Sequence, residues 1–401
     1  MKKLFRRQKK DPTTPEMPQN PYYESISARL GILQVILYMS LFAFVILSIL
    51  RNTELITYRN FYFFFKDLNV SFKTVDVFET DSVSYTTSEE QAFTLYRNGL
   101  AVVGNNSVTV FTETGRQTVS ESLSYKNPMA DGSGKYLLVY EMGGTQYSLY
   151  NSFKRLYSGK TEYPIQKAVV SESGMYAIVS ASKDYPSVVS LYNSHFSLIN
   201  RYNKKGYVMD LDINAKGTQI AILTTASNGG IYDTELLLHK PKSKEDPVTL
   251  AIGNSLGVRC AYTASGGVGV LCTDGYSYVK DARVQESFDF GERSILTVDL
   301  CLDGAAICLR DGSVSEQSEL LVFDKNGKLS YRNGASVFPK QVKLAGRTAF
   351  LLHDSGITRI HTGTGKQSRY TCVTEGKKIL LQREDELLLC SPQKAEFIHF
   401  S

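Results

Sequence analysis

The sequence predicts an all-β, eight-bladed β-propeller preceded by one N-terminal transmembrane α-helix. Three observations carry that prediction: a 21-residue uncharged apolar run near the N-terminus, short apolar strands arriving in fours, and one apolar pair recurring once per group of four. At roughly 100 to 200 residues per domain, 401 residues accommodate two or three ordinary domains or one large repeat. With 42% hydrophobic and 21% charged residues, the composition excludes both a disordered acidic chain and a multi-pass membrane protein.

The apolar run is Leu30–Leu50, bounded by Arg29 and Arg51. As a helix rising 1.5 Å per residue it reaches about 32 Å, enough for a hydrocarbon core of ~30 Å. A cleaved signal peptide would have a shorter apolar region and a small-x-small cleavage site. No Cys precedes Cys260, which removes a lipoprotein cleavage site. Residues 1–29 hold seven Lys or Arg against three acids, a net +4, so the rest of the chain carries only +1 of the total +5. Positive charge prefers the cytoplasmic side, so the reading is a cytoplasmic tail over 1–29, a span over 30–50 and an extracytoplasmic domain beyond. Pro12, Pro15, Pro18 and Pro21 argue against regular helix in the tail. A nearly neutral main body offers no basic face for nucleic acid.

Residues 51–69 form a juxtamembrane segment. Within it, Tyr58, Phe61, Tyr62, Phe63, Phe64 and Phe65 crowd six aromatic rings into Tyr58–Lys66. Such rings favour the headgroup boundary, so these six, with Arg29 and Arg51 at the ends of the span, are expected at the membrane interface, the bilayer being the first partner. A helix packed beneath the following domain is the alternative.

Residues 70–401 form the repeat. Ile165–Val170, Met175–Ser180, Ser187–Tyr192 and Phe196–Tyr202 are four short runs separated by turn residues, which reads as an antiparallel meander, and the order returns between Ile295 and Tyr331. In the second run of each unit an apolar pair precedes Gly104, Tyr140, Ser180, Thr224, Cys272, Cys308, His353 and Cys390. These positions are 36 to 48 residues apart, averaging about 41, the size of a propeller blade. Eight blades follow, with seven, an open solenoid or a two-sheet sandwich as alternatives. The last unit has three runs and an extra run, Phe72–Phe78, precedes the first, so an N-terminal strand is expected to complete the last blade and close the ring.

With its strands and Gly or Asp-Gly turns such as Asp303-Gly304 and Asp324–Gly327, the chain resembles the β-propeller superfamily of WD-type, YVTN-type and quinoprotein-like proteins. The layout of basic tail, single span, aromatic collar and propeller is similar to that of membrane-anchored propeller proteins of Gram-positive bacteria. The chain has no Trp, so the Trp-Asp dipeptide and the Trp-containing docking motifs of quinoprotein propellers are missing, and no cofactor is expected.

Motifs for chemistry are sparse. Six Cys, all after residue 259, suggest either buried thiols at close-packed positions or disulfides such as Cys260–Cys272 and Cys301–Cys308, but no Cys-x-x-Cys metal spacing exists. The five His form no metal motif. Gly253-Asn-Ser255-Leu-Gly257 matches a nucleophile elbow, yet strands flank it on both sides and the required helix is absent, so it reads as a turn between blades. Catalytic and metal-binding residues are therefore not assigned. The function expected is an interaction scaffold at the cell envelope engaging a protein or glycan, with a propeller enzyme or sensor acting through loop residues at the central channel as the alternative.

Overall fold

The structure is a computed structural model that describes residues 21–51 and 82–400, apart from 97–98, 113–114, 152–153, 243–245, 313–316, 336–337, 372–375, 377 and 382–383. The chain divides into two units, Met1–Ser71 and Phe72–Ser401.

In the first unit a single helix runs Pro21–Arg51. It begins earlier than the tail's prolines suggested. Pro21 is its first residue, where a missing N–H costs nothing because the first helical N–H groups have no intrahelical partner. Every side chain described along it is exposed, including Leu33, Leu37, Phe42 and Phe44. The polar exceptions bond within the helix: Gln34 Nε2 donates to Tyr38 Oη at 3.3 Å and Ser40 Oγ donates to the Leu37 carbonyl at 2.9 Å.

The second unit is an eight-bladed β-propeller. Seven sheets are built from consecutive strands in the order inner to outer, and the eighth borrows its outermost strand from the N-terminal end of the domain. The innermost strands are Gln91–Tyr96, Pro128–Ser133, Ile165–Val170, Tyr207–Ile213, Gly257–Tyr262, Ser294–Cys301, Gln341–Ala345 and Lys378–Leu381, in blades 1 to 8. Each touches the innermost strand of the next blade, and the last touches the first, so the ring closes around a channel. The repeat positions Gly104 through Cys390 all fall in the second strand of their blades, as their spacing required.

Closure uses Ser82–Ser84, which pairs antiparallel with Lys394–His399 through Val83 opposite Ala395. The strand that closes the ring is thus four residues or more beyond the run Phe72–Phe78, which lies outside the described residues. Eight apolar clusters fill the eight spaces between blades. The one at the closure contains Val83, Phe93, Val102, Phe111, Leu388 and Cys390, so the borrowed strand contributes to a core as well as to a sheet edge.

Cys260, Cys272, Cys301, Cys308 and Cys390 carry free thiols, all but Cys301 buried. Neither hairpin pairing brings two Cys together: Cys260 lies opposite Val270 and Cys272 opposite Gly257, while Cys301 lies opposite Gly304 and Cys308 opposite Thr297. The turns are tighter than the pairings Cys260–Cys272 and Cys301–Cys308 would need. Desolvation raises the Cys272 thiol to about 11 and those of Cys301, Cys308 and Cys390 to about 12, which keeps them protonated and unreactive.

Candidate functional site: the central channel and the rim of blade 4

An innermost strand presents one unpaired edge, whose N–H and C=O groups need partners. Here side chains of one blade supply them for the next. The Asp131 carboxylate accepts from Val170 N–H at 2.8 Å, Asp210 from Cys260 N–H at 3.0 Å, Asp212 from Tyr262 N–H at 2.8 Å and Asp299 from Leu344 N–H at 3.0 Å. Thr297 Oγ1 accepts from Val342 N–H at 3.3 Å, and Gln341 both accepts from Ile379 N–H at 2.7 Å and donates to its carbonyl at 3.1 Å. The channel wall is therefore stitched blade to blade by carboxylates and amides.

Lysines complete the pattern. Lys167 of blade 3 bonds Asp210 of blade 4, and Lys343 of blade 7 bonds Asp299 of blade 6 at 2.6 Å. Local backbone irregularity aims these groups. In blades 3, 4 and 5 the innermost strand shifts register immediately before Lys167, Asp210 and Arg259. A bulge bends its strand and redirects the following side chain, so the irregularity places each charge on the channel.

A 380 Å³ depression opens where the innermost strands finish, lined among others by Asp131, Lys167, Asp210, Asp212, Arg259 and Tyr262. Burial, with Asp210 close by, lifts Asp131 to about 6 against the opposing pull of Val170 N–H and Lys167. Burial, then the charges of Asp131 and Asp210, lifts Asp212 to about 7 against the pull of the Tyr262 and Ile213 N–H groups. Both folded values lie above the unfolded value near 3.8, so the folded protein holds protons that the unfolded chain has released. This contribution to stability is complete below pH ~4 and disappears as pH rises through about 6 to 7. The urea midpoint, followed by tyrosine fluorescence since Trp is absent, is expected to fall between pH 5 and pH 8. Asp212→Asn should remove a large part of that fall, and an unchanged pH dependence in the variant would refute the assignment.

A second feature stands on the opposite end of the ring. In blade 4 the strands Ile220–Asn228 and Ile231–His239 are nine residues each, longer than any other strand in the propeller. Ala226–Asn228 and Ile231–Asp233 pair only with each other, because the inner neighbour pairs no further than Thr225 and the outer one no further than Thr234. Gly229 and Gly230, both at positive φ, make the tight turn at the tip. Ile231 is 63% exposed, and Tyr207 at the hairpin's foot is 62% exposed, so apolar surface stands clear of the ring.

Of the expected interface residues, Arg29 is exposed near the N-terminal end of the helix and Arg51 is the helix's last residue. Tyr58, Phe61, Tyr62, Phe63, Phe64 and Phe65 lie outside the described residues. Gly253 ends one strand and Gly257 begins the next, so the elbow motif is the connection from blade 4 to blade 5, with Ser255 Oγ donating to the Asp274 carboxylate. Among the described residues no group of three His, Cys, Asp or Glu could hold a metal ion. The channel charges were not singled out from the sequence. The one available signal is that the first run of every unit from Asp131 to Lys378 carries a charged residue, and that of blade 4 carries two, Asp210 and Asp212.

Residues 69–400 match the family described as "Family of unknown function (DUF5711)". Comparison with curated proteins returns no match. Among solved structures, BamB from Moraxella catarrhalis superposes with a TM-score of 0.55 at 10% identity, covering 80% of this chain and 99% of that one. A structure described as the eukaryotic initiation factor gives 0.55 at 13% identity, covering 79% and 87%. At these identities the likeness is one of fold.

Proposed function

The chain belongs to the DUF5711 family, and from that premise we propose that it is a single-pass, membrane-anchored β-propeller whose domain beyond the helix is an extracytoplasmic interaction scaffold for an envelope protein or glycan. The observation that carries this reading is the apolar helix. Over Arg29–Leu47 its mean hydropathy is 2.5, and none of that stretch is buried by the rest of the protein. An apolar surface of that length in water is unfavourable, whereas lipid accommodates it, and its polar groups are already bonded within the helix. Residues 1–29 stay cytoplasmic by the positive-inside bias, the span is 30–50, and the aromatic rings from Tyr58 to Phe65 sit at headgroup level.

The scaffold part of the reading rests on two features. Each described carboxylate of the channel wall is engaged by a backbone N–H of the neighbouring blade, which suits a frame. The blade 4 hairpin presents Ile231 and Tyr232 on a free strand edge, with the exposed Tyr207 of the innermost strand at its foot, which suits docking of a partner.

Two measurements test this. In intact cells, external protease should digest the propeller while the tail survives, and alkaline extraction should leave the chain in the membrane pellet. Leu37→Lys with Phe42→Lys adds about 3 kcal/mol each to insertion and should move the chain to the soluble fraction. Proximity labelling from the propeller should recover envelope neighbours, with less recovered from Ile231→Ser and Tyr232→Ser. Cytosolic neighbours alone would overturn the orientation.

A further inference from the structure

A further cavity lies off the channel, in the space between blades 4 and 5. It holds 230 Å³ and is lined by both blades, among others by Leu238, His239 and Val248 of blade 4 and Tyr262, Val279 and Lys280 of blade 5. A cavity of about 150 Å³ takes a benzene molecule and drug-sized ligands need roughly 300 Å³ or more, so this room suits one ring or a short branched chain. Strand register assembles the walls. In blade 5 Tyr262 lies opposite Val268 and Val268 opposite Val279, and in blade 4 Leu238 lies opposite Val248. Tyr262 ends the innermost strand of blade 5 and also lines the channel depression, so the cleft shares that end of the ring and lies away from the blade 4 hairpin.

The polar lining divides by exposure. Tyr262 is 5% exposed, and its ring packs with Val268 and Val279 in the core between the two blades, on the cleft side of its strand. Its backbone N–H is held by Asp212, but its hydroxyl has no partner among the described residues. Unlike the hydroxyls of Tyr150, Tyr176 and Tyr276, that of Tyr262 is not sealed in protein, so its donor opens on the cavity. Leaving a buried hydroxyl unpaired is unfavourable. Lys280 is half-buried, and its ammonium too has no partner among the described residues. His239, half-buried beside them, has Nδ1 bonded to the Tyr202 hydroxyl, which leaves Nε2 as its open ring nitrogen. No acid is enclosed with these groups, since Asp246 and Asp281 are exposed. The turn that carries Lys280 is strained: Asp281 and Ala282 form its two-residue tip at φ of 51° and 55°, where Gly or Asn is usual, and Lys280 pairs with Arg283 across it. Strain of this kind gathers at ligand sites, and here it fixes the direction in which Lys280 leaves its strand.

We propose that this cleft binds a small carboxylic acid with a one-ring or short-chain apolar body, its carboxylate held by Lys280 and the Tyr262 hydroxyl and its body by Leu238, Val248, Val268 and Val279. Such a ligand supplies the acceptor that both donors lack, and an ammonium, which can only donate, selects an anion. Its body removes the apolar walls from water. The inference goes beyond the scaffold reading and does not depend on it, because it uses neither the helix nor the blade 4 hairpin.

The test titrates the full-length protein in detergent micelles with benzoate and, separately, with acetate, benzyl alcohol and benzylamine, each against micelles without protein. Calorimetry and thermal unfolding are the two readouts, because a ligand that binds the folded state raises the unfolding temperature with its concentration. Benzoate should bind and stabilise. Acetate lacks the apolar body and benzyl alcohol the charge, so each should bind weaker by about tenfold or more. Lys280→Met should weaken benzoate binding about tenfold and Tyr262→Phe about fivefold, and Lys183→Met, an exposed residue in a turn of blade 3, should leave it unchanged. Should the Met variant fail to fold, Tyr262→Phe reads the loss with the ring kept in the core. Absence of benzoate binding, equal binding of benzyl alcohol, tighter binding of benzylamine, or undiminished benzoate binding in both Lys280→Met and Tyr262→Phe would overturn the proposal.

Discussion

Val83→Asp is expected to unlatch the ring and to lower the unfolding free energy by about 4 kcal/mol. Val83 is 4% exposed in a three-residue strand whose neighbours Ser82 and Ser84 are both exposed. Its side chain enters the apolar cluster between blades 8 and 1 with Phe93, Leu388 and Cys390, where an ionised carboxylate has no partner and no water. The same strand supplies the outer edge of blade 8, so the substitution acts on the sheet and on the core behind it. The urea midpoint checks the magnitude, and limited proteolysis checks the location, since cleavage should begin near residues 82–90 and 394–400. Ser82→Asp and Ser84→Asp change the same strand on its solvent face and should shift the midpoint by less than about 0.5 kcal/mol. Equal destabilisation by all three would show that charge, and not the seating of Val83, is what matters.

Gly132→Ala is expected to cost about 3 kcal/mol, because the contact it strains is between backbones. A Cβ at this position would stand 2.1 Å from the Leu95 carbonyl oxygen and 3.0 Å from Thr94 Oγ1, both on the innermost strand of blade 1. Neither strand yields alone: each is held by its own sheet and by the closed ring, so blades 1 and 2 must separate along the channel. Gly253→Ala is the matched comparison. Nothing lies within 4 Å of a Cβ there, so the substitution should be nearly silent by the same urea measurement. Silence at Gly253 would also accord with its place in a blade connection and not in a strained nucleophile turn.

Much of this architecture was legible because the relevant signals are local. Alternation of buried and exposed residues declares a strand within five or six positions, and the apolar pairs ahead of Ser180, Cys308 and Cys390 declare the second strand of a blade wherever they occur. Turn residues did the same: Asp324 caps its own turn by accepting from the N–H groups of Asn326 and Lys328, and Gly327 takes the positive φ that the turn needs. A strand of three residues gives no periodic signal, which is why closure was expected in kind but placed on Phe72–Phe78 and not on Ser82–Ser84. The Cys pairings failed for a related reason, since turn length decides who faces whom, and a tight turn sets Cys301 opposite Gly304.

The amino-acid sequence by itself determined the number of blades and the place of the apolar helix, because each depends on residues close together in the chain. Only the tertiary structure decided which charges meet. Asp131, Lys167, Asp210 and Arg259 come from separate blades, and three of the four are aimed by bulges that leave no mark in composition or spacing. Their meeting is a property of the closed ring, which brings Lys378 to the Phe93 carbonyl across 285 residues of chain.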